Sequence, residues 1–409
     1  MFRPQLILAP GKEKALLRRH PWIFSGAVRK RVGEMQPGDL VDVLSSDGRW
    51  LATGHYQDDS IICKILSFET QQIDRQFYRK QLLSAIRYRE QLGFFDNPQT
   101  NVFRLVYGEG DNLPGLVCDW YNGVLVMQAH SAGMHREFAT LAELMVEMLG
   151  KYGLKSIFDK SSATCPQYGE PVHDGYIYGE QPNEWEISEN GVRLLINFFE
   201  GQKTGFFIDQ RENRELVAQL ARGHRLLNCF GYTGGFSLAA LKGGAQYVET
   251  VDISKKAIEL CNRNVELNFG TDAPHKGTCA DVLQFLSEEG KEEGGERTNL
   301  TTLKPFDFII LDPPAFAKNH RSLQQGLKGY RTINQRAMQI IADGGLLMTF
   351  SCSQAVSKDD FQTMLFTAAN NAHRHVRIVK QLPHAADHPV SIYHPEGEYL
   401  KGLLLQIEK

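Results

Sequence analysis

From about residue 187 onward the sequence predicts a doubly wound α/β domain on a mostly parallel sheet, and three observations predict it. Short apolar runs alternate with amphipathic helical stretches. Three of the runs, FDFIILD, LLMTFSC and YLKGLLLQIEK, are apolar enough for strands buried on both faces. The stretch before residue 187 lacks this rhythm and should form a small β-rich module over 1–72 and an α+β block over 73–186.

In the first block, GDLVDVLSSDGRWLATGHY and SIICKILSF read as strands joined by the Asp47-Gly48 turn and a polar loop. The second block opens with the charged amphipathic helix RQFYRKQLLSAIRYREQLG, closed by Gly93. Hairpin-like runs follow in FRLVYGEGDNLPGLVCDWYNGVLVMQAH, then a second helix, REFATLAELMVEMLGKYG. Turn chemistry accounts for Asp111, Pro114 and Gly115 there. In the third block RLLNCF is a short buried strand, GGFSLAALKGG a helix ended by glycine, and QYVETVDI the next strand. SKKAIELCNRNVELNFG is an amphipathic helix with Ser254 as N-cap, and HKGTCADV a further strand. The acidic stretch SEEGKEEGGERTN reads as an exposed loop or a fraying helix end.

A chain of 409 residues exceeds one ordinary core, so two or three domains are expected. The net charge of -3 gives no overall positive field. Charge is uneven, however: Arg3, Lys12, Lys14, Arg18, Arg19, Arg29, Lys30 and Arg31 face a single acid, Glu13, in the first 31 residues. Such a face can hold a phosphate backbone, or be no more than a solvated surface. Seven cysteines with no C-x-x-C pair argue against a disulfide framework and a zinc site, and no metal is expected. LILA is too short for a signal-peptide core, and no run is long enough to cross a bilayer. A reducing cytoplasm is the expected location, where free thiols persist.

In an open parallel sheet ligands bind beyond the C-terminal ends of the strands, and four unusual sequences fall there. NCFGYTGGF, Asn228 to Phe236, is a glycine turn that lets backbone N–H groups approach a ligand. It is not the dinucleotide fingerprint, because Thr233 stands where the second glycine belongs. Asp252 ends the next strand about 20 residues on, where an acid grips ribose hydroxyls, and Asp281 follows the third strand, where a side chain meets an adenine amino group. Together they describe a pocket for an adenosine-bearing cofactor. In LDPPAF the paired prolines stop the strand and fix a stiff turn that presents Asp312, with Phe316 near enough to stack on a flat base. The alternative is a strand stop with a capping Asp. In TFSCS, Cys352 is either a filler at the end of a buried strand or a nucleophile beside Asp312 on the neighbouring strand.

KTGFFIDQRENR, NCFGYTGGF, VDISKKAIELCNRNVELN, LDPPAFAKN, TFSCS and AADHPV…YLKG, with HPWIFSGAV near the start, together resemble the RlmI-type S-adenosylmethionine-dependent RNA methyltransferases, which modify cytosine C5 in bacterial large-subunit ribosomal RNA. The resemblance spans nearly the whole chain. It implies an N-terminal PUA domain, a central α+β domain and a C-terminal Rossmann-like class I methyltransferase domain whose last strand inserts antiparallel. By position it implies that Lys203, Thr204, Gly205, Phe206, Asp209 and Arg211 close over the cofactor, S-adenosyl-L-methionine. Asn228, Phe230, Tyr232, Thr233 and Gly234 would form the methionine-side loop. Asp252 would bind the ribose, Asp281 and Val282 the adenine end, and Asp312 the region of the transferable methyl, with Ile253 and Pro313 also at the cofactor. Cys352 matches the family's catalytic cysteine, with Asp312 as its partner.

RNA contacts are expected from Arg18, Arg19, Trp22, Arg29, Lys30 and Arg31, and from Phe316 and Lys318. Trp22 and Phe24 read equally as core residues of a small barrel, and Lys318 as a surface lysine. Pro314-Ala315-Phe316 stands where many cytosine-5 RNA methyltransferases carry a second cysteine, so no group is named that removes the C5 proton. The segment FDKSSATCPQYGEP is less basic than its counterpart in the family, and the target nucleotide is left open. The expected partner is large-subunit ribosomal RNA, without a membrane, and a homodimer is among the assemblies open to the chain. Two rivals remain: a methyltransferase acting on a guanine nitrogen without a thiol adduct, and a non-catalytic RNA-binding ribosome-assembly factor.

Overall fold

The computed structural model describes residues 3–165, 171–287 and 305–409. The acidic stretch beyond Ser287, and residues 166–170 of FDKSSATCPQYGEP, lie outside the described residues. The chain divides into two compact units. One comprises Met1–Gly191, Ile196–Asp209 and Ala386–Gly397; the other comprises Val192–Leu195, Gln210–Ala385 and Glu398–Lys409.

The first unit carries two sheets. Strands β1 (Gln5–Leu8), β2 (Trp22–Phe24), β3 (Val28–Val32), β4 (Leu40–Leu44), β5 (Trp50–Tyr56) and β6 (Ile61–Ser67) pair in the order β2-β6-β5-β4-β1-β3. Alternation in LVDVL turns Val41 and Val43 into a core with Leu6, Leu8, Ala52, Ile62 and Ile65. The expected turn after β4 is present, with Gly48 at φ +87.

The second sheet joins β7 (Val102–Tyr107), β8 (Leu116–Tyr121), β9 (Val124–Ala129), β10 (Ser156–Asp159) and β11 (Gly175–Gly179), in the order β11-β10-β9-β8-β7. Helices Arg75–Gln91 and Phe138–Leu149 bury Leu82, Ile86, Leu141, Leu144 and Met145 in one cluster with Phe103, Leu105, Leu125 and Met127 of the sheet. Asp74 caps the first of these helices, accepting from the N–H groups of Gln76 and Phe77.

Segment Ala386–Gly397 is part of this first unit. Fully buried Arg89 donates to both carboxylate oxygens of Asp111, at 2.5 and 2.9 Å, and to the Asp387 carbonyl at 2.7 Å. Asp387 in turn accepts from the Arg104 N–H at 2.8 Å, and the Tyr107 hydroxyl donates to the Gly397 carbonyl at 2.7 Å. Strands β12 (Trp185–Glu189) and β13 (Val192–Ile196) follow along the chain.

The second unit is built on one sheet of β14 (Arg225–Cys229), β15 (Tyr247–Asp252), β16 (His275–Cys279), β17 (Phe308–Leu311), β18 (Gly345–Ser351), β19 (His375–Gln381) and β20 (Lys401–Glu408). The order is β16-β15-β14-β17-β18-β20-β19. Strands β14 to β18 run parallel, and β20 inserts antiparallel between β18 and β19, as the family resemblance implies. Every residue of FIIL in β17 is buried, because helices cover both faces of the central strands. On one side Leu227, Val251, Ile309, Leu347 and Leu405 share a core with Tyr330, Ile333, Phe361 and Leu365 from helices Leu323–Ile340 and Lys358–Ala372. Ser254 caps helix Lys255–Phe269 as expected, accepting from the Ala257 N–H. Among the described residues no helix is long and apolar enough to cross a membrane.

Candidate active site

The C-terminal ends of β14, β15, β17 and β18 bring the second unit's chemistry-bearing residues to one edge of its sheet. β14 ends in a turn where Phe230, Tyr232 and Gly234 all have positive φ, at 59, 47 and 89°. Only strong local constraint holds non-glycine residues there. Asp252, at the end of β15, supplies it: one carboxylate oxygen accepts from the Tyr232 N–H at 3.0 Å and the other from the Ser254 N–H at 2.9 Å. Each oxygen keeps a second lone pair for another donor. Ile253, next along, is 72% exposed and offers an apolar surface next to that carboxylate in sequence.

The glycine turn is tight. A Cβ at Gly231 would run into Thr250 Cγ2 and stand 2.9 Å from Asn228 Nδ2; a Cβ at Gly234 would meet Cys261 Sγ at 2.5 Å. Asn228 is fully buried and its amide donates to Ser237 Oγ at 2.9 Å. Asn228 Oδ1, near the end of β14, and Thr233 Oγ1, in the turn that follows, are both buried with no hydrogen-bond partner in the protein. Asp281 follows β16; it is exposed and caps the next helix by accepting from the Gln284 N–H at 2.8 Å. Val282 is a core residue, so only its backbone is available to a ligand.

Asp312 leaves β17 partly exposed, and β17 and β18 are neighbours in parallel register, Leu311 opposite Thr349. Cys352 follows β18 and is partly exposed, with its sulfur 3.8 Å from the Pro313 carbonyl oxygen. Cys63, Cys118, Cys165, Cys229 and Cys261 are buried, and burial pushes the Cys63, Cys118, Cys229 and Cys261 thiols well up from their ordinary range. The two turns are fastened by groups the sequence reading did not single out. The buried Tyr330 hydroxyl lies 2.8 Å from Ser353 Oγ, which accepts from the Ala317 N–H at 3.1 Å, while the Phe316 N–H donates to the Tyr330 hydroxyl at 3.3 Å. The Phe316 ring packs against Tyr330 at 4.7 Å, so part of its surface is already covered. Lys318 is exposed.

Lys401 is the other residue the sequence reading left without a role. A lysine opening an otherwise apolar strand run, YLKGLLLQI, was the available signal. Its side chain is buried, and its ammonium donates to the carbonyls of Ser353 and Tyr399, each at 2.6 Å.

In the first unit, Thr204 is fully buried and donates to Asp119 at 2.5 Å, 2.8 Å from the Tyr121 hydroxyl. Phe206 is buried too, so both side chains are taken up by packing rather than turned outward. Gly205 has φ +130, and Lys203 reaches Asp209 at 3.3 Å and lies over the Phe207 ring. Arg211, buried, opens the second unit's helix Arg211–Leu220. Arg18, Arg19, Arg29, Lys30 and Arg31 are exposed. The last three lie on β3, an edge strand, where cations also discourage pairing with another chain. Trp22 is partly buried, donating to Glu109 at 2.7 Å with its ring 4.3 Å from that of His394, while Phe24 is half exposed.

The sequence matches the S-adenosylmethionine-dependent methyltransferase family over residues 103–396 and a PUA-like domain over residues 6–68. It is 39% identical over 407 residues to a protein of Erwinia tasmaniensis named ribosomal RNA large subunit methyltransferase I, covering 98% of this chain and 99% of that one. A Yersinia pseudotuberculosis protein of the same name is 40% identical over the same lengths. Two solved structures share the fold at 20% identity: a Streptococcus mutans protein classed as a SAM-dependent methyltransferase, with a TM-score of 0.83, and a protein classed as a methyltransferase and complexed with SAH, with a TM-score of 0.84. Each spans 99% of this chain and 100% of its own.

The cofactor is S-adenosyl-L-methionine, and the residues present fit it. The glycine turn leaves the backbone open to close approach, two buried polar atoms in that turn and the strand end before it lack protein partners, and Asp252 and Ile253 offer an acceptor pair and an apolar surface side by side. By its matched residues and its full-length relatives, the chain belongs to the ribosomal RNA large subunit methyltransferase I family of S-adenosylmethionine-dependent methyltransferases.

Proposed function

We propose that the protein forms 5-methylcytosine in large-subunit ribosomal RNA through a transient bond between Cys352 and C6 of the base. The observation that carries this reading is the partly exposed thiol of Cys352 at the end of β18, its sulfur 3.8 Å from the Pro313 carbonyl and one strand from Asp312. Cytosine C5 is too weak a nucleophile to take a methyl group unaided. Addition of the Cys352 thiolate to C6 forms a C–S bond and moves the C5–C6 π pair to where it can attack as an enamine. The charge pushed toward N3 is met by a hydrogen bond from protonated Asp312 or by its proton. When bound, S-adenosylmethionine supplies an electrophilic methyl carbon. The C5 proton then leaves to a base, the C–S bond breaks, and Cys352 departs as the thiolate with the C5–C6 double bond restored.

Asp252 would orient the ribose hydroxyls, Ile253 the adenine face, and the 228–234 loop the amino-acid end of the cofactor. Asp281 would meet the adenine amino group. RNA has to present the base unstacked, since C5 and C6 are inaccessible within a helix. Exposed Arg18, Arg19, Arg29, Lys30 and Arg31 would hold the phosphates, with Phe24 and Trp22 beside the nucleotides. The substrate class named for the relatives, ribosomal RNA, supports this choice of partner.

Purified protein with labelled cofactor and unmodified ribosomal RNA, followed by mass spectrometry of the nucleosides, tests the reading. The expected product is 5-methylcytosine, formed by the wild type and lost in Cys352→Ala and Asp312→Ala. A methylated guanine as the sole product would reject the cytosine assignment, and full activity of Cys352→Ala would reject the thiol route.

A further inference from the structure

Lys401, the first residue of β20, is 6% exposed and stands opposite Ser351 in the antiparallel ladder with β18. Its ammonium donates to the carbonyl of Ser353. Ladder partner and hydrogen-bond acceptor therefore bracket Cys352 on its two sides. Among the described residues Lys401 makes no ion pair; the carboxylate nearby in sequence, Glu398, is engaged by Lys358 at 2.7 Å. Two carbonyl oxygens satisfy N–H donors, but they do not neutralise a charge. A buried ammonium without an anion is expensive, and a lysine that only filled this place would be replaceable by an apolar side chain. Burial holds the Lys401 ammonium down to about 8, and a negative charge on Cys352 would act against that shift.

We infer that Lys401 is a positioning residue whose buried ammonium holds Cys352 as a thiolate before the base arrives. This rests on the reading of Cys352 as the nucleophile. The Cys352 S–H proton goes to water, Lys401 keeps its own, and the two groups form an internal ion pair. On attack the sulfur's electron pair becomes the C6–S bond; on release the pair returns to sulfur, whose charge again faces the ammonium, which makes the thiolate a better leaving group. The other titratable groups around the pair are Tyr330 on helix Leu323–Ile340, whose phenol burial pushes up, Asp312 at the end of β17, and the Lys358–Glu398 pair.

Alkylation of Cys352 in the full-length protein by iodoacetamide, followed across pH by mass spectrometry of the peptide, reads the thiolate directly and separates it from exposed Cys279. The wild-type midpoint is expected at least about one unit below the ordinary cysteine value of about 8.5. Lys401→Met should raise it by about one unit or more, slowing alkylation near neutral pH about tenfold, and Lys401→Arg should restore most of the loss. Methylation by Lys401→Met should fall in parallel and recover in alkaline buffer, which a packing defect alone would not produce. Cofactor affinity measured by calorimetry checks that each variant is folded.

A wild-type midpoint at or above about 8.5 would overturn the inference without any variant. So would a folded Lys401→Met protein with the wild-type midpoint. A low midpoint in a protein that makes only a methylated purine would keep the ion pair and reject the cytosine route. An ordinary midpoint alongside 5-methylcytosine would do the reverse.

Discussion

Replacing Gly231 with alanine adds one methyl group at the turn after β14. The methyl would run into Thr250 Cγ2 and stand 2.9 Å from Asn228 Nδ2 and 3.3 Å from Asn228 Cγ. Gly231 is not among the residues with positive φ, so the steric contact is the whole effect. Neither neighbour can give way easily. Thr250 is fully buried, with its hydroxyl 2.6 Å from Ser237 Oγ and 2.8 Å from His275 Nε2; Asn228 is fully buried and tied to Ser237. The loop has to move instead, and overpacking of this kind costs about 1–3 kcal/mol. Part of that should appear as a lower melting temperature and part as weaker cofactor binding. If all of it fell on binding, the Kd for S-adenosylmethionine would rise about 5- to 150-fold. Calorimetric titration beside thermal melting measures both. Gly150→Ala is the control, since its methyl would meet nothing within 4 Å at an ordinary φ of -53. Unchanged affinity and melting temperature in Gly231→Ala would refute the steric reasoning.

Arg89→Met should cost about 3–5 kcal/mol in urea unfolding, because it strands the buried Asp111 carboxylate and frees the Asp387 carbonyl; a loss below about 1 kcal/mol would contradict this. Burial holds His55, His130 and His275 down to about 4. Their folded values lie below the unfolded one, so the stability they contribute is complete above about pH 6.5 and is lost as pH falls toward 4. At about pH 5 the loss reaches up to about 2 kcal/mol per histidine, and unfolding curves unchanged between neutral pH and pH 5 would refute it. Tyr330→Phe removes the hydroxyl between Ser353 and the Phe316 N–H. It should slow turnover about tenfold with cofactor affinity kept, the misplacement of two turns costing about 1–2 kcal/mol at the transition state; wild-type kcat would show that the fastening is dispensable.

How much of this was legible in the sequence varies with burial. Strands β14, β17 and β18 announced themselves because central strands of a parallel sheet are apolar on both faces. HVRIVKQ, which forms β19, did not: it is an edge strand with six of its seven residues exposed, so its composition carries no core signature. The positions of Asp252, Asp312 and Cys352 at strand ends followed from the same rhythm. Lys401 did not, because its significance depends on β20 being laid antiparallel beside β18, a pairing between residues 50 apart that no local pattern encodes. Thr204 shows the converse limit. Its place in a motif pointed outward to a ligand, whereas its buried bond to Asp119 depends on a strand far away in the chain.

The distribution of the chain between its units has a practical corollary. Each unit is assembled from three separate stretches, and Ala386–Gly397 returns to the first after the second is nearly complete. No single proteolytic cut or truncation can isolate either unit from the other: a fragment ending at Gly191 leaves Arg89 and Arg104 without the Asp387 groups they bind. The first unit cannot finish folding until translation has passed residue 397, so a ribosome stalled before that point should carry a protease-sensitive amino-terminal half.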